Sequence, residues 1–385
     1  MKRINGSVKL YLVFVVLMLL TAALAVPAFA GGIATEGNVN FLLSGMDTEG
    51  AWDWAIQESL RLKFTGDGPA STGWQGEFNV SSPGALSLTG ERAPFDLQVD
   101  RLFFRWEEGG TRLTLGRQRI AWGVGYAFSP LDQFNPPNPG DPIAPRQGVD
   151  ALVIRRSMGD LSYLSLVGVL PETIDGNRKI ISTDPAVGGI WGTHIGNTDL
   201  SLSYLSDPVK EDHQWGLAAK GDLGVGWHLE GVYQKLWDTN TGPVEGAPAK
   251  SQWLGVLGLD YSFLDGKVLS MVEYLYDETG EPDPARYGYD LRLTGQRQTL
   301  GTRYLFSQVS YQVDEFAGLS LSALANLADR SGTVQPALNW QVDDNTRVDL
   351  GVAVPVGDRG TEFKTVIPGQ PAPAAVLTIK ARYSF

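Results

Sequence analysis

The last nine residues of the chain read Leu377-Thr378-Ile379-Lys380-Ala381-Arg382-Tyr383-Ser384-Phe385, and their alternation decides the fold. One face of this segment is apolar and consists of Leu377, Ile379, Ala381, Tyr383 and Phe385. The opposite face consists of Thr378, Lys380, Arg382 and Ser384. A period of two predicts a β-strand. Because one face is apolar and the other polar and charged, this strand is suited to lie between hydrocarbon and water.

The same alternation recurs along most of the chain. Between residues 52 and 64 the even positions are apolar except Glu58, whereas most odd positions are polar. Counting such segments predicts about eighteen strands, with about sixteen as the alternative, because the patterns near residues 191 and 336 are weak. The predicted strand centres lie near residues 40, 58, 77, 100, 115, 152, 165, 191, 202, 217, 231, 256, 271, 304, 321, 336, 350 and 380.

The connections between these segments differ in length in a regular way. Turns after even-numbered strands are short, for example residues 107–110 and 264–266, whereas several after odd-numbered strands are long, for example 121–147 and 355–373. Short turns on one rim and long loops on the other are typical of transmembrane barrels in bacterial outer membranes. The sequence therefore predicts an all-β fold, a transmembrane antiparallel up-and-down β-barrel.

The first thirty residues predict a cleaved signal peptide. Lys2, Arg3 and Lys9 form a basic start, an apolar run from Leu10 to Val26 follows, and Ala28-Phe29-Ala30 supplies a small-x-small cleavage site. An uncleaved anchor is the alternative, but this run is barely long enough to span a bilayer. We expect residues 1–30 to be the signal peptide and residues 31–385 the barrel.

Composition narrows the class of protein further. After the signal region no run approaches the roughly eighteen apolar residues that a membrane-spanning helix needs, and the chain has no cysteine for disulfides. Removing three basic residues with the signal peptide changes the net charge from -12 to about -15. Nucleic acid is therefore not an expected partner, since it requires a basic surface.

The segment after the fifth predicted strand differs from the rest of the chain. It contains Trp122-Gly123-Val124-Gly125-Tyr126 and later Ser129-Pro130-Leu131-Asp132, and is too rich in Gly and Pro to be a strand. Long loops in compact folds are usually functional. Ser129-Pro130 is expected to open a short helical turn. Aromatic residues should pack the loop against a wall, namely Trp122, Tyr126, Phe128 and Phe134. We predict an inward-folded constriction loop.

Charged residues in and beside this segment are the candidate pore residues. They are Arg117, Arg119, Asp132, Asp141, Arg146 and Asp150. Opposed charges across a constriction create a transverse field that discriminates between solutes, but these ions could equally pair with one another and pin the loop. Arg117 and Arg119 share the phase of Leu113 and Leu115, so either Gly116 marks a bulge that resets the phase or the strand ends there.

The same segment resembles a family. Its patterns Gly-Arg-Gln, Trp-Gly-x-Gly, Pro-x-Asp, Asn-Pro and Arg-x-Gly-Val-Asp, between residues 116 and 150, resemble porin-like and alginate-export-like outer-membrane barrels. The resemblance implies passive transport, although the arginine-dense lumen of a polyanion exporter is absent. The last strand resembles the one that such barrels present to their assembly machinery, which implies that Tyr383 and Phe385 are the assembly signal.

The predicted function is a porin-like channel in the bacterial outer membrane for passive diffusion of small hydrophilic solutes or ions. Polysaccharide export or an adhesive or structural role is the alternative. Only three histidines are present, His194, His213 and His228, without metal-ligand spacing or a nucleophile motif nearby, so neither an enzyme nor a cofactor or metal is expected. Expected partners are outer-membrane lipid, the assembly machinery, the solutes themselves and, as an option, two further copies in a homotrimer.

Overall fold

The computed structural model describes residues 33–48, 50–68, 71–82, 96–142, 144–170, 185–208, 212–236, 251–289, 299–367 and 369–385. Eighteen strands of these ranges form one closed antiparallel sheet. The barrel strands are β1 Ile33–Thr48, β2 Ala51–Gly68, β3 Thr72–Ser81, β4 Asp96–Glu108, β5 Thr111–Gln118, β6 Val149–Ser157, β7 Ser162–Val169, β8 Ala186–Ile195, β9 Thr198–Asp207, β10 Asp212–Asp222, β11 Gly226–Leu236, β12 Ser251–Phe263, β13 Val268–Asp277, β14 Arg303–Gln312, β15 Ala317–Asn326, β16 Ser331–Gln341, β17 Thr346–Val356 and β20 Ala375–Ser384. A separate two-stranded hairpin consists of β18 Thr365–Ile367 and β19 Gln370–Pro371.

Each barrel strand pairs with its neighbours in sequence, and β20 pairs with β1 to close the ring. In this seam Val39 lies opposite Tyr383 and Leu43 opposite Ile379, so apolar residues face apolar residues. Gly37 and Phe385 exchange two main-chain hydrogen bonds, of 3.0 and 2.9 Å, which complete the ladder. The predicted eighteen-stranded barrel is confirmed, and every predicted strand centre falls within one strand.

The two rims differ as predicted. Connections after even-numbered strands are two to four residues long, whereas those after β3, β5, β7, β11, β13 and β17 have fourteen or more. The two-residue turn Gly109-Gly110 has positive φ at both residues, 55° and 76°, a conformation that glycine adopts without strain. The structure describes no helix long and apolar enough to cross a membrane. The predicted signal peptide lies outside the described residues.

Alternate side chains point to opposite faces of the wall, and the two faces differ in polarity. On β11, Leu229 is 40 % exposed, whereas His228 and Glu230 on the inward phase are 6 % and 1 % exposed. On β12, Trp253 and Phe263 are exposed near opposite ends of the strand. Ten residues of a strand tilted by about 40° rise roughly 25 Å. This matches the height of the apolar band that a transmembrane barrel presents to lipid.

The seam generates the first prediction. A Cβ atom at Gly37 would overlap the Phe385 ring, so we expect Gly37→Ala to displace this ring and weaken the closure by about 1–3 kcal/mol. Thermal unfolding in detergent micelles measures the loss. The control is Gly231→Ala, whose new methyl group would meet no atom within 4 Å. Equal unfolding temperatures for the two variants would contradict a role of Phe385 in the seam.

Candidate functional site

Residues 119–142 and 144–148, which we call the inward segment, lie inside the barrel. Their main chain is bound by Glu230 of β11, whose carboxylate accepts hydrogen bonds from the amides of Val124, Gly125 (2.6 Å) and Leu131 (3.1 Å). The Ser129 hydroxyl donates to the same carboxylate at 3.1 Å. Because Glu230 alternates with outward-facing Leu229, these bonds fix the segment on the lumen side of the wall.

A second carboxylate binds the next stretch of the inward segment. Glu273 of β13 accepts hydrogen bonds from the amides of Tyr126, Ala127 (2.7 Å) and Phe128 (3.1 Å). Nε2 of His228 lies 2.7 Å from Oε1 of Glu273. The two glutamates together bind the five consecutive amides of residues 124–128. Hydrogen bonds to a charged acceptor are about twice as strong as neutral ones, so the two carboxylates hold residues 124–128 strongly against the wall.

The two glycines of Trp-Gly-x-Gly permit this contact. A Cβ atom at Gly123 would overlap the Ser129 hydroxyl and lie 2.6 Å from Oε1 of Glu230, and one at Gly125 would overlap the Phe128 carbonyl. Both glycines therefore let the backbone approach the wall and fold back on itself. Only a turn forms at Pro130-Leu131. The Asp132 amide closes this turn by donating to the Ser129 carbonyl at 3.0 Å. The turn does not continue into a helix, and the Ser129 hydroxyl binds Glu230.

Aromatic residues of the inward segment pack as two groups. The rings of Trp122 and Phe134 meet edge to face at 5.6 Å and join a buried apolar cluster with inward residues of β6 to β11. Tyr126 lies 5.9 Å from Phe306 and Phe128 lies 6.1 Å from Tyr304, between ring centres. These contacts belong to a second cluster against β12 to β15. The segment thus covers a continuous arc of wall from β6 to β15.

Three of the predicted charged residues come together within the segment. Nη1 of Arg146 lies 2.9 Å from Oδ2 of Asp132, whose side chain is 3 % exposed, and Arg119 is close enough to interact electrostatically with both. Burial raises the pKa of Asp132 to about 7, against the attraction of Arg146 and Arg119. Asn135 links the ends of the segment, since it binds the Ile120 amide and the Gln147 carbonyl. This network pins the segment to itself.

Arg117 and Asp150 form a separate pair. Nε and Nη2 of Arg117 bind the two carboxylate oxygens of Asp150 at 3.1 and 2.8 Å. The ladders from β4 to β6 run past Gly116 without a register shift, so no bulge resets the phase there. Arg117 therefore lies on the same outward-facing side of the wall as Leu115, and Asp150 lies on the same side as Leu152. The pair ties β5 to β6 and is not brought to the lumen face.

Asp141 is the acid of the segment that faces another part of the barrel. Its carboxylate lies within electrostatic range of Lys380 on β20 and of Tyr126. Lys380 and Arg382 occupy the inward phase of β20, and Nε of Arg382 donates to Oδ1 of Asn40 at 3.1 Å. On the neighbouring strand β17, Arg347 pairs with Asp349 at 2.8 Å. Basic side chains of the wall therefore lie across from an acid of the segment.

Sequence reasoning missed Glu230 and Glu273 as anchors. Glu230 is the only acid on the inward phase of β11, and Glu273 shares the inward phase of β13 with one other acid, Asp277, at the end of the strand. An acid between apolar residues of a strand is a detectable signal in the pattern. The pattern could not indicate that backbone amides more than a hundred residues away are their partners.

The anchors generate the second prediction. We expect Glu273→Gln to leave backbone donors of residues 126–128 poorly paired and to cost about 1–3 kcal/mol for each unpaired donor. Thermal unfolding and limited proteolysis of residues 119–148 measure the effect. Glu315→Gln, in an exposed turn at the opposite rim, is the matched control. If Glu273→Gln resists the protease as well as this control does, Glu273 does not hold the segment.

No family model and no curated protein matches the chain. Among solved structures, OccK5 (OpdH) of Pseudomonas aeruginosa aligns over 92 % of this chain and 98 % of its own length, with 11 % identity and a TM-score of 0.60. A variant of the Rh. blastica porin aligns over 92 % and 100 %, with 12 % identity and a TM-score of 0.47. OmpT of Vibrio cholerae, with loop L8 deleted, aligns over 93 % and 100 %, with 11 % identity and a TM-score of 0.46. The likeness to OccK5 shows that the two proteins share a barrel fold.

Proposed function

We propose that this barrel is a channel in the bacterial outer membrane through which small hydrophilic solutes or ions diffuse passively, and that the inward segment is its constriction. The observation that carries the proposal is the binding of five consecutive backbone amides by Glu230 and Glu273 inside the barrel. A loop fixed in this way narrows the lumen, because leaving the wall would separate five backbone donors from their carboxylate partners.

The arrangement of the wall supports a path for solutes beside the segment. Buried apolar clusters join the segment to β6–β15, whereas the inward phases of β17, β20, β1 and β2 carry polar and charged side chains. Among these, Arg347 and Asp349 retain 42 % and 32 % of their side-chain exposure and Arg61 retains 23 %. Partly exposed ions on an inner wall indicate contact with water. The solute path therefore follows this uncovered arc.

Charge is distributed unevenly across the proposed path. Asp141 stands on the segment side, whereas Lys380 and Arg382 stand on the wall side. Opposed charges on two sides of a narrow opening orient water and dipolar solutes. We assign this role to Asp141 and the β20 cations, while Asp132, Arg146 and Arg119 hold the segment in shape and Arg117 and Asp150 brace two strands. Assembly as a homotrimer stays a prediction.

The constriction generates the third prediction. Deleting residues 127–144 should increase the conductance of single channels in a planar bilayer, because the removed residues occupy lumen that water and ions would then fill. Gly231→Ala, outside the lumen contacts, serves as the control. A folded deletion variant with the conductance of the original protein would remove the constriction from the proposal, and a barrel that never conducts would remove the channel itself.

The wall charges generate the fourth prediction. We expect the double substitution Lys380→Gln and Arg382→Gln to shift the reversal potential in a salt gradient towards cation selectivity. The reason is that it removes two positive charges from the wall of the proposed solute path. The shift should be larger at about 0.01 M than at about 1 M salt, where screening acts within a few ångströms. Lys235→Gln, on the outward phase of β11, is the matched control. An unchanged reversal potential would place the ion path elsewhere.

A further inference from the structure

A second stretch of chain also folds onto the inner wall. Residues 357–367, which we call the second inward segment, follow β17 and centre on Glu362, which is 1 % exposed. The Glu362 carboxylate accepts hydrogen bonds from the Tyr304 hydroxyl at 2.6 Å, from Nδ2 of the Asn326 side chain at 2.7 Å and from the backbone amide of Leu300 at 3.2 Å. A buried carboxylate with several donors is a fixed attachment point.

The attachment lies on the lumen side. Tyr304 and Phe306 are buried and alternate with Leu305, which is exposed on the outer face of β14. Asn326 lies opposite Tyr304 in the register of β14 and β15 and therefore shares its face. Two hydrogen bonds from the main chain of the segment to side chains of the wall extend the contact. The Glu362 amide donates to Oδ2 of Asp329 at 2.7 Å, and the Phe363 amide donates to the Ser331 hydroxyl at 3.3 Å.

The two inward segments contribute to one apolar cluster on the wall. Phe363 packs against the buried group that contains Ala127 and Phe128 of the first segment together with Tyr304 and Phe306 of the wall. Tyr304 is shared, since its ring contacts Phe128 and its hydroxyl binds Glu362. A shift of Phe363 would therefore loosen the cluster that also contains Ala127 and Phe128, because close-packed interiors transmit such displacements.

We propose that the second inward segment is a second constriction element, that Glu362 is its positioning residue, and that Phe363 holds residues 126–128 of the first segment in place. This inference rests on the proposed channel function and adds to it that the width of the path depends on two loops. A merely structural cap at the long-loop rim would affect unfolding of the barrel but not the opening through which solutes pass.

The test uses Glu362→Gln and Phe363→Ala in the full-length protein, with Phe316→Ala, exposed in a turn at the opposite rim, as the control. We expect both variants to admit larger uncharged polymers than the control does and to show more frequent conductance fluctuations. Electrophoresis without heating verifies that each barrel is folded. If both folded variants keep the original polymer cut-off while deletion of residues 127–144 raises it, the second constriction is overturned and the channel function stands.

Hydrogen exchange tests the coupling independently of conduction. Phe363→Ala should accelerate exchange of the amides of Tyr126, Ala127 and Phe128 by about tenfold, with little change at Leu131, which Glu230 binds. Equal acceleration at Leu131 would indicate general loosening, and no acceleration at residues 126–128 would show that Phe363 does not hold them. Either result overturns the proposed coupling, even for a barrel that carries no current.

Discussion

Closure of the backbone hydrogen-bond ladder is the constraint on which the rest of this structure depends. In hydrocarbon an unpaired amide or carbonyl costs several kcal/mol, so strands can cross a membrane only when the first and last of them pair. Here β20 and β1 meet along ten registered pairs, and Phe385 extends the seam to Gly37. Once the ring is closed, the period of two assigns every side chain to lipid or to the lumen. The alternation in the sequence therefore determines the different polarity of the two faces of the barrel.

An inner face of this kind allows a loop to enter the barrel, provided that its backbone finds partners there. Glu230 and Glu273 supply these partners, and the several hydrogen bonds that each carboxylate accepts from the segment oppose the cost of burying it. Removing the amides would leave two buried charges, and removing the charges would leave unpaired amides. Segment and wall thus require each other, which explains how a chain rich in Gly and Pro keeps a defined path without regular secondary structure.

The sequence predicts what is periodic and misses what is not. Strand number, phase and the lengths of the connections follow from local pattern, since each depends on residues close together in the chain. The partners of Glu230 lie about a hundred positions away, and no periodic signal connects Val124 to this acid. The charged residues illustrate the same limit. Their positions beside the loop segment made Arg117 and Asp150 candidate pore residues, but the unbroken register through Gly116 keeps them on the outward phase.

Placement of charge also explains why net charge is a poor guide to what passes through such a barrel. The chain carries a formal charge of -12, yet many acids lie in turns, on rims or in pairs. In the proposed channel the relevant charges are those within a Debye length of the solute path, about 10 Å at 0.1 M salt. On the uncovered arc these include Lys380 and Arg382, with Asp349 opposite Lys380 on β17 and Asp141 on the side of the inward segment. In the proposed channel the local field at the opening is thus set by a few side chains, and the position of Asp141 among them depends on the two carboxylates that hold the inward segment in place.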